Sequence, residues 1–134
     1  EVGDTATDFE HRTFADELQR CLRYFYLLTS AGSNGSYFRY CNGFMYDATS
    51  CEARLSLPVE MRAVPTLTKT GTIAVYDGAN VLNAGSFVLG TDGSSKQSIN
   101  LNPASIASGG VQYRPCAILS SGNTTSKLEF DAEI

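Results

Sequence analysis

Apolar and polar residues run through this chain in two periods, and each marks a different kind of element. Over residues 51–57, Cys-Glu-Ala-Arg-Leu-Ser-Leu alternates without a break, putting Cys51, Ala53, Leu55 and Leu57 on one face and Glu52, Arg54 and Ser56 on the other. Side chains of a strand alternate between faces, so this is a half-buried β-strand, closed by Pro58. Residues 127–134 repeat the pattern, with Leu128, Phe130, Ala132 and Ile134 inward, and predict a chain that ends inside its sheet. The helical period occurs once. Phe14, Leu18, Cys21, Leu22 and Phe25 fall at i, i+4, i+7, i+8 and i+11, one face of an α-helix expected over about residues 14–26. Thr13 precedes it as an N-cap with Asp16 at capping-box spacing, and Asp16 pairs with Arg20 four residues on. The apolar face is expected to close one side of a β domain.

Punctuation divides the rest into short strands. Residues 30–36 are Gly-rich and polar and end the helical region. Residues 37–41 and 44–46 are aromatic-rich and read either as a tight hairpin about Asn42-Gly43 or as one strand with a glycine bulge. Residues 58–65, with a proline at each end, form a crossover. Strands follow near 66, at 70–76 and at 86–89, and a polar edge strand at 96–101. Asn102-Pro103 and Gly109-Gly110 bracket a connection, and 111–119 forms a strand that Pro115 interrupts. About eight short strands and a single helix predict a mainly β fold, an antiparallel jelly-roll-like sandwich. Residues 1–12 read as an extended lead-in from an upstream region, docked by Phe9, and residues 13–134 as one domain.

Composition narrows the partners. The chain has 134 residues, of which 43% are hydrophobic, enough for one packed core. Its net charge of −4 and singly scattered basic residues argue against a nucleic-acid backbone as partner. No apolar run is long enough to span a membrane, and the first residues lack the basic and apolar regions of a signal peptide. The missing initial Met is expected to reflect a longer parent polypeptide. Cys21, Cys41, Cys51 and Cys116 lack metal-site spacing and are expected to be free thiols, although Cys41 and Cys51 could bridge if they stood opposite each other.

Candidate chemistry is thin. His11 is the only histidine and has no second ligand or nucleophile at a workable spacing. The carboxylate pairs Asp47 with Glu52 and Glu129 with Asp131 read as loop and solvent-face charges, and Gly90-Thr-Asp-Gly93 lacks the Lys and the helix of a phosphate cradle. No enzyme, no cofactor and no metal are therefore expected. Tyr37, Tyr40, Tyr46, Tyr76 and Tyr113 raise glycan stacking as an alternative, with Tyr37 and Tyr76 as the candidate glycan contacts.

Three segments carry a family resemblance. Phe9-Glu10-x-Arg12, then Glu17-Leu18-x-x-Cys21-x-Arg23-Tyr24-Phe25, resembles a signature found in carboxy-terminal modules of tailed-phage virion proteins, chiefly tail fibres and related appendages. Pro58-x-Glu60-Met61-Arg62 before Pro65-Thr66 is similar to a mid-domain segment of that group, and Asp131-Ala132-Glu133-Ile134 is similar to its closing Asp-Ala-Glu-Leu. His11, Leu22 and Phe25 depart from the residues expected there, and between Leu67 and Lys127 no motif is shared. The resemblance implies a non-enzymatic β-sandwich at the end of a virion structural protein, commonly trimeric and assembled in the bacterial cytoplasm. Other virion proteins and a host surface glycan are the partners it implies. It also marks Glu10, Arg12, Glu17, Arg23 and Tyr24 as candidates for fixed polar contacts. A carbohydrate-binding module attached to a glycan-active enzyme is the alternative.

Overall fold

The alternating stretch at 51–57 becomes strand β3 (Cys51–Ser56), with Cys51 and Ala53 buried and Arg54 exposed. It is one of nine strands in a computed structural model that describes residues 12–32, 37–90 and 92–133. The others are β1 (Phe25–Thr29), β2 (Arg39–Met45), β4 (Thr66–Thr70), β5 (Ile73–Tyr76), β6 (Val81–Leu89), β7 (Ser98–Ile106), β8 (Pro115–Ser120) and β9 (Lys127–Asp131). One helix, α1 (Phe14–Leu22), precedes them.

Six strands close into a barrel in the order β2-β3-β7-β6-β5-β8, and β1, β9 and β4 form a separate sheet with β9 in the middle. Every pair is antiparallel. The mainly β, antiparallel class is thus as expected, and the hydrogen bonding closes six of the strands into a ring. A closed ring leaves none of its six strands with an unpaired edge. The interior is filled by Met45, Ala53, Ile73, Val75, Ile99, Leu101 and Ile118, all fully buried. Leu128 and Phe130 of β9 belong to the same buried cluster, so the three-stranded sheet lays its inner face on the barrel. A polar node ties the two together: the Tyr40 hydroxyl donates to the Ser126 carbonyl at 2.8 Å, and the Ser126 hydroxyl donates to the Thr72 carbonyl at 2.9 Å. Each of these buried groups therefore has a partner.

Several expected elements need correction. The helix stops at Leu22 instead of running to 26, because Phe25–Thr29 pairs with β9 from Phe25↔Asp131 to Thr29↔Lys127. Asn42-Gly43 makes neither a hairpin nor the bulge. β2 runs straight through it, and the register shift falls between Arg39 and Cys41. Asn102-Pro103 is no connection, since β7 continues to Ile106, with Pro103 opposite Phe87 of β6. β6 starts at Val81, earlier than expected, and β8 starts at Pro115, a first strand position, where a missing N–H costs little.

Candidate functional site

The three segments that carry the resemblance lie far apart in sequence and meet in space at residues 23–26. The Arg62 N–H donates to the Arg23 carbonyl at 2.8 Å, and the Ala132 N–H donates to the Tyr24 carbonyl at 2.8 Å. The Arg62 guanidinium lies over the Tyr24 ring, 5.8 Å from its centre. Tyr26 pairs with Phe130 across the sheet and stacks on its ring at 6.2 Å. Met61, between Glu60 and Arg62, is buried, and its N–H donates to the Lys96 carbonyl at 2.8 Å, which anchors the crossover. The end of the first segment, at Arg23 and Tyr24, therefore meets the other two in one structural junction.

Beside this junction an open cleft of about 620 Å³ is lined by Arg12, Asp16, Gln19, Arg20, Arg23 and Glu60. Arg12 pairs with Glu17 at 3.2 Å, both exposed, a geometry that contributes little in water. Arg23 enters the junction through its backbone carbonyl; among the described residues, no hydrogen bond or ion pair holds its side chain or that of Arg20. Phe9, Glu10 and His11 lie outside the described residues.

Helix α1 begins as its cap predicts. The Thr13 hydroxyl accepts the Asp16 N–H at 3.2 Å and donates to the Asp16 carboxylate at 2.6 Å. Its apolar face is not covered as expected. No residue of the helix is buried: Phe14 is 82% and Leu18 45% exposed, and Cys21 is exposed as well. Tyr24, Phe25 and Leu27 continue this exposed apolar character into β1. The expectation that the helix closes one side of the β domain is corrected accordingly.

Tyr37 and Tyr76 line one groove on the barrel, with Arg39 and Leu119 between them. Tyr37 is 59% exposed and free to stack. The Tyr76 ring carries the Arg39 guanidinium at 5.7 Å, and its hydroxyl donates to the Gly78 carbonyl at 2.9 Å. Arg39 had no distinguishing signal in the sequence, since one arginine in a strand is ordinarily a solvated residue.

Several other titratable groups have structural partners. Asp47 accepts the Thr49 N–H at 2.7 Å, Lys127 pairs with Glu129 at 2.9 Å, and Asp131 accepts the Glu133 N–H at 2.8 Å. Asp77 is fully buried at the β5–β6 turn; it accepts the N–H groups of Asn80 and Ala79 and pairs with Arg114 at 3.3 Å. The Asn80 N–H leads in holding its carboxyl below the usual range, with Ala79 and Arg114 assisting against burial. All four cysteines are free. Burial pushes the Cys41 thiol up to about 12, and the Cys51 thiol is raised chiefly by its hydrogen bond with Cys116. Among the described residues no cluster of three or more His, Cys, Asp or Glu could hold a metal, and no helix is long and apolar enough to cross a membrane. Compared with protein-family models, curated proteins and solved structures, the chain matches none.

Proposed function

We propose that this chain is a non-enzymatic structural module of a tailed-bacteriophage virion, the distal or C-terminal domain of a tail fibre or similar appendage. It assembles as a homotrimer in the host cytoplasm, meets other virion proteins in the particle and contacts the host surface, with no part for nucleic acid or membrane insertion. The observation that carries this reading is the junction at residues 23–26, where the three resembling segments touch. Segments that pack on one another are constrained together, so their joint resemblance is worth more than three separate coincidences. The exposed stripe of Phe14, Leu18 and Cys21 supports the assembly, because a helix face of this kind is normally covered. A second copy of this chain is the occupant we assign to it. A jelly-roll-like sandwich is the finer fold proposed with it, the three-stranded sheet serving as a second layer on the barrel wall.

Tyr37 beside Arg39 and Tyr76 favours one second reading, a carbohydrate-binding module attached to a glycan-active enzyme. The full open reading frame separates the two, since the second reading requires a catalytic neighbour. Immuno-electron microscopy with antibody against the chain tests the first. Labelled tails or appendages are expected, and particles that carry none of the protein would contradict it.

A further inference from the structure

On the opposite side of the barrel ring from the tyrosine groove, the outer face of β7 holds an unusual arrangement. Ile99 and Leu101 fill the barrel, which turns Asn100 and Asn102 outward on the same face. Arg54 of β3 stands beside Asn100 in register, and on the other side the Gly90 N–H donates to the Asn100 carbonyl at 2.8 Å. Asp92 and Gly93, beyond the end of β6, lie over this face. The Arg54 guanidinium donates to the Gly93 carbonyl at 3.0 Å, and the Asn100 Nδ2 donates to the Asp92 carbonyl at 3.1 Å. A cleft of about 440 Å³ results, with Glu52, Arg54, Gly90, Asp92, Asn100 and Asn102 in its walls.

Asn100 is only 4% exposed, yet its Oδ1 has no hydrogen-bond partner, and the same holds for the buried Oδ1 of Asn102. A buried, unpaired acceptor is costly, and two in one cleft ask for an explanation. The Asn100 amide is not simply reversed, since turning it would set its Oδ1 against the Asp92 carbonyl. The floor is also built for close approach. A Cβ on Gly90 would lie 2.8 Å from the Asn100 Nδ2 and 2.9 Å from the Asn102 Nδ2, and one on Gly93, at φ +94°, would lie 2.7 Å from Arg54.

We propose that this cleft is a saccharide site, in which neighbouring hydroxyls of one sugar ring donate to the Asn102 Oδ1, once its amide turns towards the cleft, and to Glu52, and accept from Arg54. The charge pattern selects a neutral polyol. Arg54, 3.4 Å from Glu52, opposes a metal cation, while Glu52 and Asp92 oppose an anion. Hydroxyls both donate and accept, which suits unpaired carbonyl oxygens beside a guanidinium. No hydrogen bond holds the Asn102 amide among the described residues, so it can turn either end to a ligand. The inference rests on the virion reading only for the origin of the sugar; its failure would leave the assembly state untouched.

Saturation-transfer NMR of the full chain with methyl α-mannopyranoside, methyl β-galactopyranoside, methyl β-glucopyranoside and N-acetylglucosamine tests it. At least one should bind, and Asn102→Ala and Glu52→Gln should each weaken it at least about tenfold, while Tyr37→Ala leaves it within about twofold. Asn102→Ala should keep or raise the melting temperature, because it removes an unpaired acceptor. Glu52→Gln preserves shape and serves if the other variant misfolds. Silence from all four sugars, binding unaffected by both variants, or loss confined to Tyr37→Ala would overturn the proposal. So would calcium binding that both variants abolish while the sugars stay silent.

Discussion

Gly43 explains why β2 passes straight through an Asn-Gly pair. It is paired on both sides, with Ala53 of β3 and Cys116 of β8, and a Cβ there would collide with the Glu52 carbonyl and the Ala53 backbone. Gly43→Ala should therefore cost about 1–3 kcal/mol or more, since the obstacle is backbone, as measured by urea unfolding. Sequence alone leaves hairpin, bulge and close approach open, because all three use the same residue type. The thiols give a second test. Cys21 is exposed in the single chain while Cys41, Cys51 and Cys116 are buried, so one thiol should react rapidly at dilutions where the chain is monomeric and four after denaturation; fewer than four would reveal a disulfide. Asp77 gives a third. Its carboxyl is depressed in the folded state, so the stability it contributes is present above the unfolded value of about 4 and is lost as pH falls through the lower folded value. Asp77→Asn should flatten the fall of melting temperature below about pH 4; an unchanged acid limb would contradict this assignment.

At the level of elements, alternation succeeds where one face is buried and the other wet. β3 and β9 were legible for that reason, their inward residues Cys51, Ala53, Leu128 and Phe130 being buried as the pattern requires. Helix α1 was legible in its cap and start but not in its end or its surroundings. Phe25 satisfies the helical period and also begins an alternating strand, and cross-strand pairing with Asp131 decides between them. Periodicity shows that a face is apolar without saying what covers it. A nine-residue helix is too short to be stable in isolation, so α1 depends on its cap and on what it packs against. Phe14→Ser combined with Leu18→Ser should leave the melting temperature nearly unchanged at dilutions where the chain is monomeric, because neither side chain is buried within it. A large loss of stability at concentrations where the chain is monomeric would mean that the stripe belongs to the core.

For the whole molecule, ring closure was beyond the sequence. Strand content follows from local pattern, whereas the pairing of β2 with β8 joins residues more than seventy apart and leaves no local trace. The candidate sites divide in the same way. Tyr24 and Arg62 were singled out by their motifs, and Tyr37 and Tyr76 by residue type, but the meeting of the segments was not. The cleft at Asn100 was not legible, because two asparagines in a polar strand become distinctive only when Gly90, Arg54, Asp92 and Gly93 are brought together. The uncovered stripe of α1 is the feature that most needs a partner, and in the proposed trimer the second and third copies of the chain supply it. Light scattering on the purified chain at micromolar concentration is the direct measurement. A mass of three chains is expected, falling to one in Phe14→Ser with Leu18→Ser; a monomeric parent chain, or a trimer indifferent to both substitutions, would contradict the proposed assembly.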